Sequence, residues 1–124
     1  MLVDDNADFL RMLSTALPMI TDAEIECFNS STEALAAFAL APERYALVMT
    51  DLEMPDVNGV ELCGRLRLIA PAQKIFLMTG SGLFTAATAR QAGFDALLNK
   101  PFSTAMLRTF LAASEVESDT ICAA

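Results

Sequence analysis

Short apolar runs alternate with longer amphipathic stretches along the chain. The run from Tyr45 to Thr50 contains two β-branched residues and is followed at once by the carboxylate of Asp51 and a turn around Pro55. A short apolar run bounded by turn residues is typical of a strand that is buried on both faces. Strands of this kind occur mostly in parallel sheets that are covered by helices.

The same patterns predict strands and helices in strict alternation. The other predicted strands are residues 1–3, 24–28, 74–78 and 95–99, and the predicted helices are residues 7–17, 32–40, 58–69, 83–92 and 103–113. This β-α order with short connections predicts an α/β fold, a doubly wound parallel five-stranded sheet with helices on both faces. We expect one domain over residues 1–113 and a flexible C-terminal tail over residues 114–124.

Two of these elements have unusual patterns. The first strand spans only residues 1–3, whereas a central strand usually needs about five residues, so we expect it to be truncated at its N-terminus. In the first helix, Leu10 falls off the apolar stripe and is expected to face solvent beside the strand ends. The residues predicted to form that stripe are Phe9, Met12, Leu13, Ala16 and Leu17.

The composition argues against several classes of function. Sixteen acidic residues against eight basic ones give a net charge of −8, so direct nucleic-acid binding is not expected, because it needs clustered Lys and Arg. The chain has no histidine, which excludes a histidine base, metal ligand or phosphohistidine here. Its three cysteines lack metal or disulfide spacing, and no apolar stretch reaches the ~20 residues of a membrane span. We therefore expect a cytoplasmic protein.

Polar side chains follow four of the five predicted strands. They are Asp4 and Asp5 after the first strand, Asp51 after the third, Thr79 after the fourth and Lys100 after the fifth. The second strand contributes no obvious group, as would be expected if it is an outer strand whose end lies away from the crevice. A strand order of 2-1-3-4-5 satisfies this, and its ligand crevice lies between strands 1 and 3.

Three carboxylates that meet in one crevice need a compensating charge. Two unit charges about 4 Å apart repel by ~4 kcal/mol at an effective dielectric constant of 20. The carboxylates must therefore take up protons or bind a cation, and oxygen ligands favour Mg²⁺ or Mn²⁺. With the Lys100 ammonium and the Thr79 hydroxyl nearby, the set predicts a phosphoryl-transfer site in which Asp51 is the nucleophile.

Taken singly, each of these residues has a commoner structural use. Asp4 and Asp5 can cap a helix, Asp51 can stabilise a turn, Thr79 can be structural, and Lys100 with Pro101 can form a surface loop. Their joint placement at the ends of different strands is what favours a functional site.

Four motifs, together and in order, resemble the receiver domain of bacterial two-component response regulators. They are Val3-Asp4-Asp5, the segment from Thr50 to Pro55 with Gly59, Met78-Thr79-Gly80 and Lys100-Pro101-Phe102. The resemblance extends to about residue 113. It implies a flavodoxin-like fold and phosphorylation of Asp51 from the phosphohistidine of a sensor histidine kinase or a histidine phosphotransfer domain.

The resemblance also implies roles for the surrounding residues. It implies that Mg²⁺ is held by Asp5, Asp51 and the backbone carbonyl of Glu53, with Asp4 bound to it directly or through water. It further implies that Thr79 and Lys100 contact the phosphoryl group and that the Lys100–Pro101 peptide bond is cis. Such a domain catalyses its own aspartyl phosphorylation and dephosphorylation but does not turn over small molecules.

In the resembled family, phosphorylation repacks the face of helix 4, strand 5 and helix 5. That face signals to a downstream output protein or domain, and it could also form a homodimer. Leu97 stands where the family usually has an aromatic switch residue, three places before Lys100. No output domain follows in this sequence, so the signal would pass by docking, by phosphotransfer or within a larger parent chain such as a hybrid histidine kinase.

Two other functions remain open at this stage. A phosphorylation-independent pseudo-receiver would keep the fold and act as a protein-binding module, which Leu97 and the short first strand would suit. A phosphatase that forms an aspartyl-phosphate is the second, but such enzymes use Asp-x-Asp, and here position 53 is Glu.

Overall fold

The computed structural model describes residues 1–112, and the tail expected at residues 114–124 lies outside this range. Five parallel strands form one sheet in the order β2-β1-β3-β4-β5, as the sequence predicted. The strands are β1 (Leu2–Val3), β2 (Cys27–Phe28), β3 (Leu47–Asp51), β4 (Lys74–Thr79) and β5 (Ala96–Asn99).

Five α-helices alternate with these strands. They are α1 (Ala7–Ala16), α2 (Ser31–Leu40), α3 (Gly59–Ile69), α4 (Ala86–Gln91) and α5, which covers residues 104–112 of the described range. Short polar side chains cap the first four helices, since Asn6, Ser30, Asn58 and Thr85 each accept a hydrogen bond from a backbone N–H in the first turn. Each cap therefore fixes the residue at which its helix begins after the preceding loop.

The helices bury both faces of the sheet in two apolar clusters. On one face, Leu13 of α1 and Leu107 of α5 pack against Met49 and Phe76. On the other, α2 and α3 contribute Phe38, Leu62 and Leu66, which pack against β-strand residues such as Val48 and Ile75. Burial on both faces explains why β3 and β4 have continuous apolar sequences. The sheet is thereby held as a rigid platform for the side chains at its edge.

The structure corrects the expected orientation of α1. Leu10 is only 6% exposed, whereas Met12, which was placed in the buried stripe, is 52% exposed. The reason is that Leu10, Leu13 and Leu17 recur at i, i+3 and i+7 and form the face that packs on the sheet. Phe9, adjacent to this face, lies at the strand-end edge and is half-buried.

Several boundaries also differ from expectation, and the two largest differences have local reasons. The second strand was expected over residues 24–28, but β2 is limited to Cys27–Phe28 because its neighbour β1 pairs only through Leu2 and Val3. The fourth helix was expected from residue 83, but α4 begins at Ala86, where Thr85 and Thr88 form a reciprocal capping box. Within residues 1–112, no helix is both long and apolar enough to cross a membrane.

Candidate functional site

The register of the sheet brings the acidic residues together. Val3 lies opposite Thr50 in the parallel pairing of β1 and β3, so the residues that follow, Asp4 and Asp51, lie side by side where this pairing ends. One carboxylate oxygen from each of Asp4, Asp5 and Asp51 lies within 4.8 Å of the others. Asp4 is completely buried, Asp51 is partly buried and Asp5 is exposed. Burial therefore decreases from Asp4 through Asp51 to Asp5, and the cluster opens to solvent at Asp5.

Both oxygens of the buried Asp4 carboxylate have partners. Asp4 Oδ1 accepts a hydrogen bond from the backbone N–H of Asn6 at 2.9 Å, just before α1 begins. Asp4 Oδ2 accepts one from Lys100 Nζ at 2.6 Å, across 96 residues of sequence. This charge-assisted hydrogen bond ties the end of β1 to the end of β5 and compensates the buried carboxylate.

Lys100 occupies the centre of the site. Its ammonium lies 3.4 Å from Asp51 Oδ1 as well as 2.6 Å from Asp4 Oδ2. It also lies 4.1 Å from the centroid of the Phe9 ring. The Lys100 backbone N–H donates to Thr79 O at 2.9 Å, and the Lys100–Pro101 peptide bond is cis. Lys100 is thus fixed at both its backbone and its charged end.

The charged form of the Asp51 carboxyl is disfavoured in this site. Burial is the main cause that raises the pKa of the Asp51 carboxyl above its ordinary value, and repulsion from Asp4 raises it further. The Lys100 ammonium and the backbone N–H of Leu52 oppose these effects without cancelling them. A carboxyl group whose pKa is raised is one that an added cation would stabilise in its charged form.

The remaining predicted site residues surround this cluster. Thr79 is buried at the end of β4, and its hydroxyl accepts a hydrogen bond from the Ser81 N–H at 3.0 Å. Leu97 lies in β5 opposite Leu77 and is partly buried. Glu53 lines an open depression of ≈ 440 Å³ together with Asp5, on the solvent side of the carboxylates.

Gly59, the first residue of α3, allows that helix to approach the Asp51 backbone closely. The Gly59 N–H donates to Leu52 O at 2.8 Å. A Cβ at position 59 would lie only 2.3 Å from Asp51 O, well inside contact distance. Residue 59 must therefore be glycine if α3 is to support the turn after Asp51.

The donor set of the cluster fits a hard divalent cation. Three carboxylates, one of them exposed, offer oxygen ligands with open positions around them. Mg²⁺ prefers a few carboxylates supplemented by water and phosphate oxygens, whereas soft or nitrogen ligands are absent from this cluster. The cluster therefore has the oxygen donor set that Mg²⁺ prefers.

Sequence reasoning missed two contributors to this geometry. Phe9 was interpreted only as a core residue, although it contacts the Lys100 ammonium. The Asn6 backbone N–H, which holds Asp4, was not considered. The signal for Phe9 was its position in the first turn of a helix that follows Asp4 and Asp5 directly, because that turn must lie beside the strand ends.

Comparisons with known proteins agree with this geometry. Residues 1–112 match the response regulator receiver domain family. The chain is 33% identical over 103 residues to the response regulator receiver protein CpdR of Brucella abortus, covering 82% of this chain and 83% of that protein. It is 30% identical over 103 residues to the transcriptional regulatory protein CpxR homolog of Haemophilus influenzae, covering 83% of this chain.

These relatives differ in length. The match spans only 44% of the CpxR homolog and 22% of the C4-dicarboxylate transport transcriptional regulatory protein DctD of Rhizobium meliloti. Among solved structures, a response regulator receiver domain protein from Clostridium thermocellum superimposes with a TM-score of 0.87 at 25% identity, covering 97% of this chain and 95% of that one. On the strength of these matches and of the residues at its strand ends, the chain belongs to the response regulator receiver domain family.

Proposed function

We propose that Asp51 is the phosphoacceptor of this receiver domain. The observation that carries the proposal is the convergence of Asp4, Asp5, Asp51 and Lys100 on one point at the end of the sheet. Response regulators receive phosphoryl groups from histidine kinases and act on output domains. Asp51 lies at the end of the central strand β3, partly exposed, where a donor can approach it.

The reaction is a direct phosphoryl transfer. An Asp51 carboxylate oxygen attacks phosphorus, and the bond between phosphorus and the donor's imidazole nitrogen breaks. Because the other nitrogen of the ring carries a proton, the imidazole leaves with that electron pair as a neutral molecule. The product is an aspartyl phosphate. Lys100, already 3.4 Å from Asp51 Oδ1, can donate to the phosphoryl oxygens as they acquire charge. The protein therefore contributes positioning and charge stabilisation.

We propose that Asp4, Asp5, Asp51 and the backbone carbonyl of Glu53 hold the Mg²⁺ required for this transfer. The ion supplies positive charge where the carboxylates and the phosphoryl oxygens would otherwise repel one another. Mn²⁺ has the same preference for oxygen ligands and should substitute. The raised pKa of Asp51 supports this role, because burial and the neighbouring Asp4 disfavour the charged carboxylate and a bound cation would offset both effects.

We propose that Thr79 and Leu97 link the phosphoryl group to the outer face of the domain. Thr79 is at the end of β4, beside the backbone of Lys100. A phosphoryl group on Asp51 would offer the Thr79 hydroxyl a charged acceptor. The face formed by α4, β5 and α5 would repack in response, with Leu97 replacing an aromatic side chain in that movement.

The partners follow from this mechanism. The donor would be a sensor histidine kinase or a histidine phosphotransfer domain. The signal would pass to a separate output protein or to another domain of a longer chain, such as a hybrid histidine kinase. We place this exchange in the cytoplasm and treat residues 1–113 as one domain. A homodimer through α4, β5 and α5 is a further possible output state.

A phosphorylation-independent binding module is not favoured. Such a module has no requirement for a buried carboxylate held by an ammonium at 2.6 Å beside a second carboxylate. Retaining that arrangement is costly without a use for it, because buried charges must be desolvated.

The test is incubation with acetyl phosphate, with and without Mg²⁺, followed by intact-protein mass spectrometry. We expect addition of one phosphoryl group to the wild type only with Mg²⁺, and none to Asp51→Asn. Asp56→Asn is the matched control, because Asp56 lies in the exposed loop after Asp51 and should not alter the reaction. Equal phosphorylation of Asp51→Asn and wild type would refute the assignment.

A further inference from the structure

The Lys100 ammonium is held by an aromatic ring as well as by carboxylates. Asp4 and Asp51 approach it at 2.6 and 3.4 Å, and the Phe9 ring centroid lies 4.1 Å away. A cation within about 6 Å of a ring centroid is attracted to the negative face of the ring. The Lys100 side chain is 20% exposed, so the ring also replaces water that would otherwise solvate the ammonium.

Phe9 is itself fixed on two sides. Its backbone N–H donates to the Asn6 side chain at 3.1 Å, in the cap of α1. Its ring packs edge-to-face on Phe102, with centroids 5.8 Å apart and planes at 83°. Phe102 follows Lys100 by two residues, so the ring that covers the ammonium is braced by the loop that carries the lysine.

A lysine side chain needs such support to hold one position. It is a flexible chain that carries a compact, strongly hydrated charge. The two carboxylates attract the ammonium from one side but do not determine how it divides between Asp4 and Asp51. The Phe9 ring, with its centroid 4.1 Å away, is a third fixed partner that limits where the ammonium can move. Phosphoryl transfer to Asp51 requires the Lys100 ammonium to lie close to that residue, where it can contact the phosphoryl oxygens.

We propose that Phe9 is a positioning residue for phosphoryl transfer, which acts by holding the Lys100 ammonium beside Asp51. This inference rests on the proposed function of Asp51 and Lys100. Phe9→Leu keeps an apolar side chain of similar size but removes the ring. We expect the rate of phosphorylation at saturating acetyl phosphate and Mg²⁺ to fall by about three- to tenfold, the range that a partly desolvated cation–π contact supports.

The first experiment measures that rate as a function of acetyl phosphate concentration in wild type, Phe9→Leu and Phe9→Tyr. The maximal rate should fall in Phe9→Leu, the half-saturating donor concentration should change little, and Phe9→Tyr, which restores a ring face, should recover most of the rate. A Phe9→Leu protein that is as fast as wild type, or a Phe9→Tyr protein that is as slow as Phe9→Leu, would overturn the proposal.

The second experiment measures the contact without any phosphorylation. Urea midpoints of wild type, Phe9→Leu, Lys100→Met and the double variant form a double-mutant cycle in Mg²⁺-free buffer. We expect Phe9→Leu to lower the midpoint less in the Lys100→Met background than in wild type. Equal effects in both backgrounds would contradict the contact. If the wild type took up no phosphate, the proposed function would fail while this cycle still tested the pairing of Phe9 with Lys100.

Discussion

Replacing Lys100 with methionine should destabilise the domain in the absence of Mg²⁺. Methionine keeps most of the apolar stem and removes only the charge. The ammonium is the cation that pairs with Asp4 at 2.6 Å and lies 3.4 Å from Asp51. Its loss would leave two neighbouring carboxylates without that compensation, and Asp4 is 0% exposed.

The size of the effect follows from the burial of the pair. Removing one partner of a fully buried ion pair costs about 3–5 kcal/mol, because the other charge is left uncompensated. Lys100 is 20% exposed, and Asp4 keeps its hydrogen bond from Asn6 N, so the cost here should be lower. We expect a loss of about 2–3 kcal/mol in the free energy of unfolding. Mg²⁺ should recover part of this loss by supplying positive charge to the same carboxylates.

The assay is urea denaturation at neutral pH, with EDTA and with Mg²⁺. Arg65→Met is the matched control, because it also removes one positive charge but from an exposed ion pair with Glu61, and it should cost about 0.5 kcal/mol or less. The double variant Asp4→Asn with Lys100→Met should be more stable than Lys100→Met alone, since no unpaired buried charge remains at Asp4. A loss below about 0.5 kcal/mol for Lys100→Met would refute the reasoning that Lys100 compensates Asp4.

Three further predictions concern the same site. Asp51→Asn should raise the thermal midpoint in the absence of Mg²⁺. The folded-state pKa of Asp51 is raised above 3.8, so its ionised form costs stability as pH rises above that value, and the gain from the substitution should vanish below it. A gain that persists at the lowest pH would contradict this reasoning. Millimolar Mg²⁺ should raise the free energy of unfolding of the wild type by about 1.4 kcal/mol for each tenfold excess over its dissociation constant, seen as a higher urea midpoint, and Asp5→Asn should weaken this response. An unresponsive wild type would count against the carboxylate site. Gly59→Ala should lower the free energy of unfolding by about 1–3 kcal/mol, because its Cβ would lie 2.3 Å from Asp51 O. Gly64→Ala, whose Cβ would enter open space, should be neutral or stabilising. Equal effects of the two variants in urea titrations would show that α3 can shift freely.

The strand-end residues could be predicted because parallel strands impose a simple rule. Each strand in this fold ends at the same edge, so Asp4, Asp51 and Lys100 could be brought together from their positions after apolar runs alone. The doubly wound order 2-1-3-4-5 was compatible with a second strand whose end carries no obvious group for the crevice. These inferences needed only topology, which the alternation of short apolar runs and helical stretches determines.

The contacts that depend on side-chain direction could not be predicted in the same way. The stripe chosen from the sequence included Met12 and left out Leu10, although Leu10 shares a second helical spacing with Leu13 and Leu17. Burial of Leu10 in the cluster that contains Met49 and Phe76 decides between the two stripes. The length of β2 is limited by the short β1, which pairs with it only through Leu2 and Val3, and this limit depends on contacts between distant parts of the chain. The approach of Phe9 to Lys100 joins residues 91 positions apart and depends on how Phe102 braces the ring.

The most direct test of the account is to locate the phosphoryl group after transfer from a phosphohistidine donor in the presence of Mg²⁺. Peptide mapping with hydroxylamine, which cleaves acyl phosphates, reports the modified residue. The account predicts a single hydroxylamine-labile phosphate on Asp51 that does not form when Mg²⁺ is chelated. Stable phosphate on a serine or threonine, labile phosphate on Asp4 or Asp5 instead, or equal labelling of Asp51 without a divalent cation would contradict it.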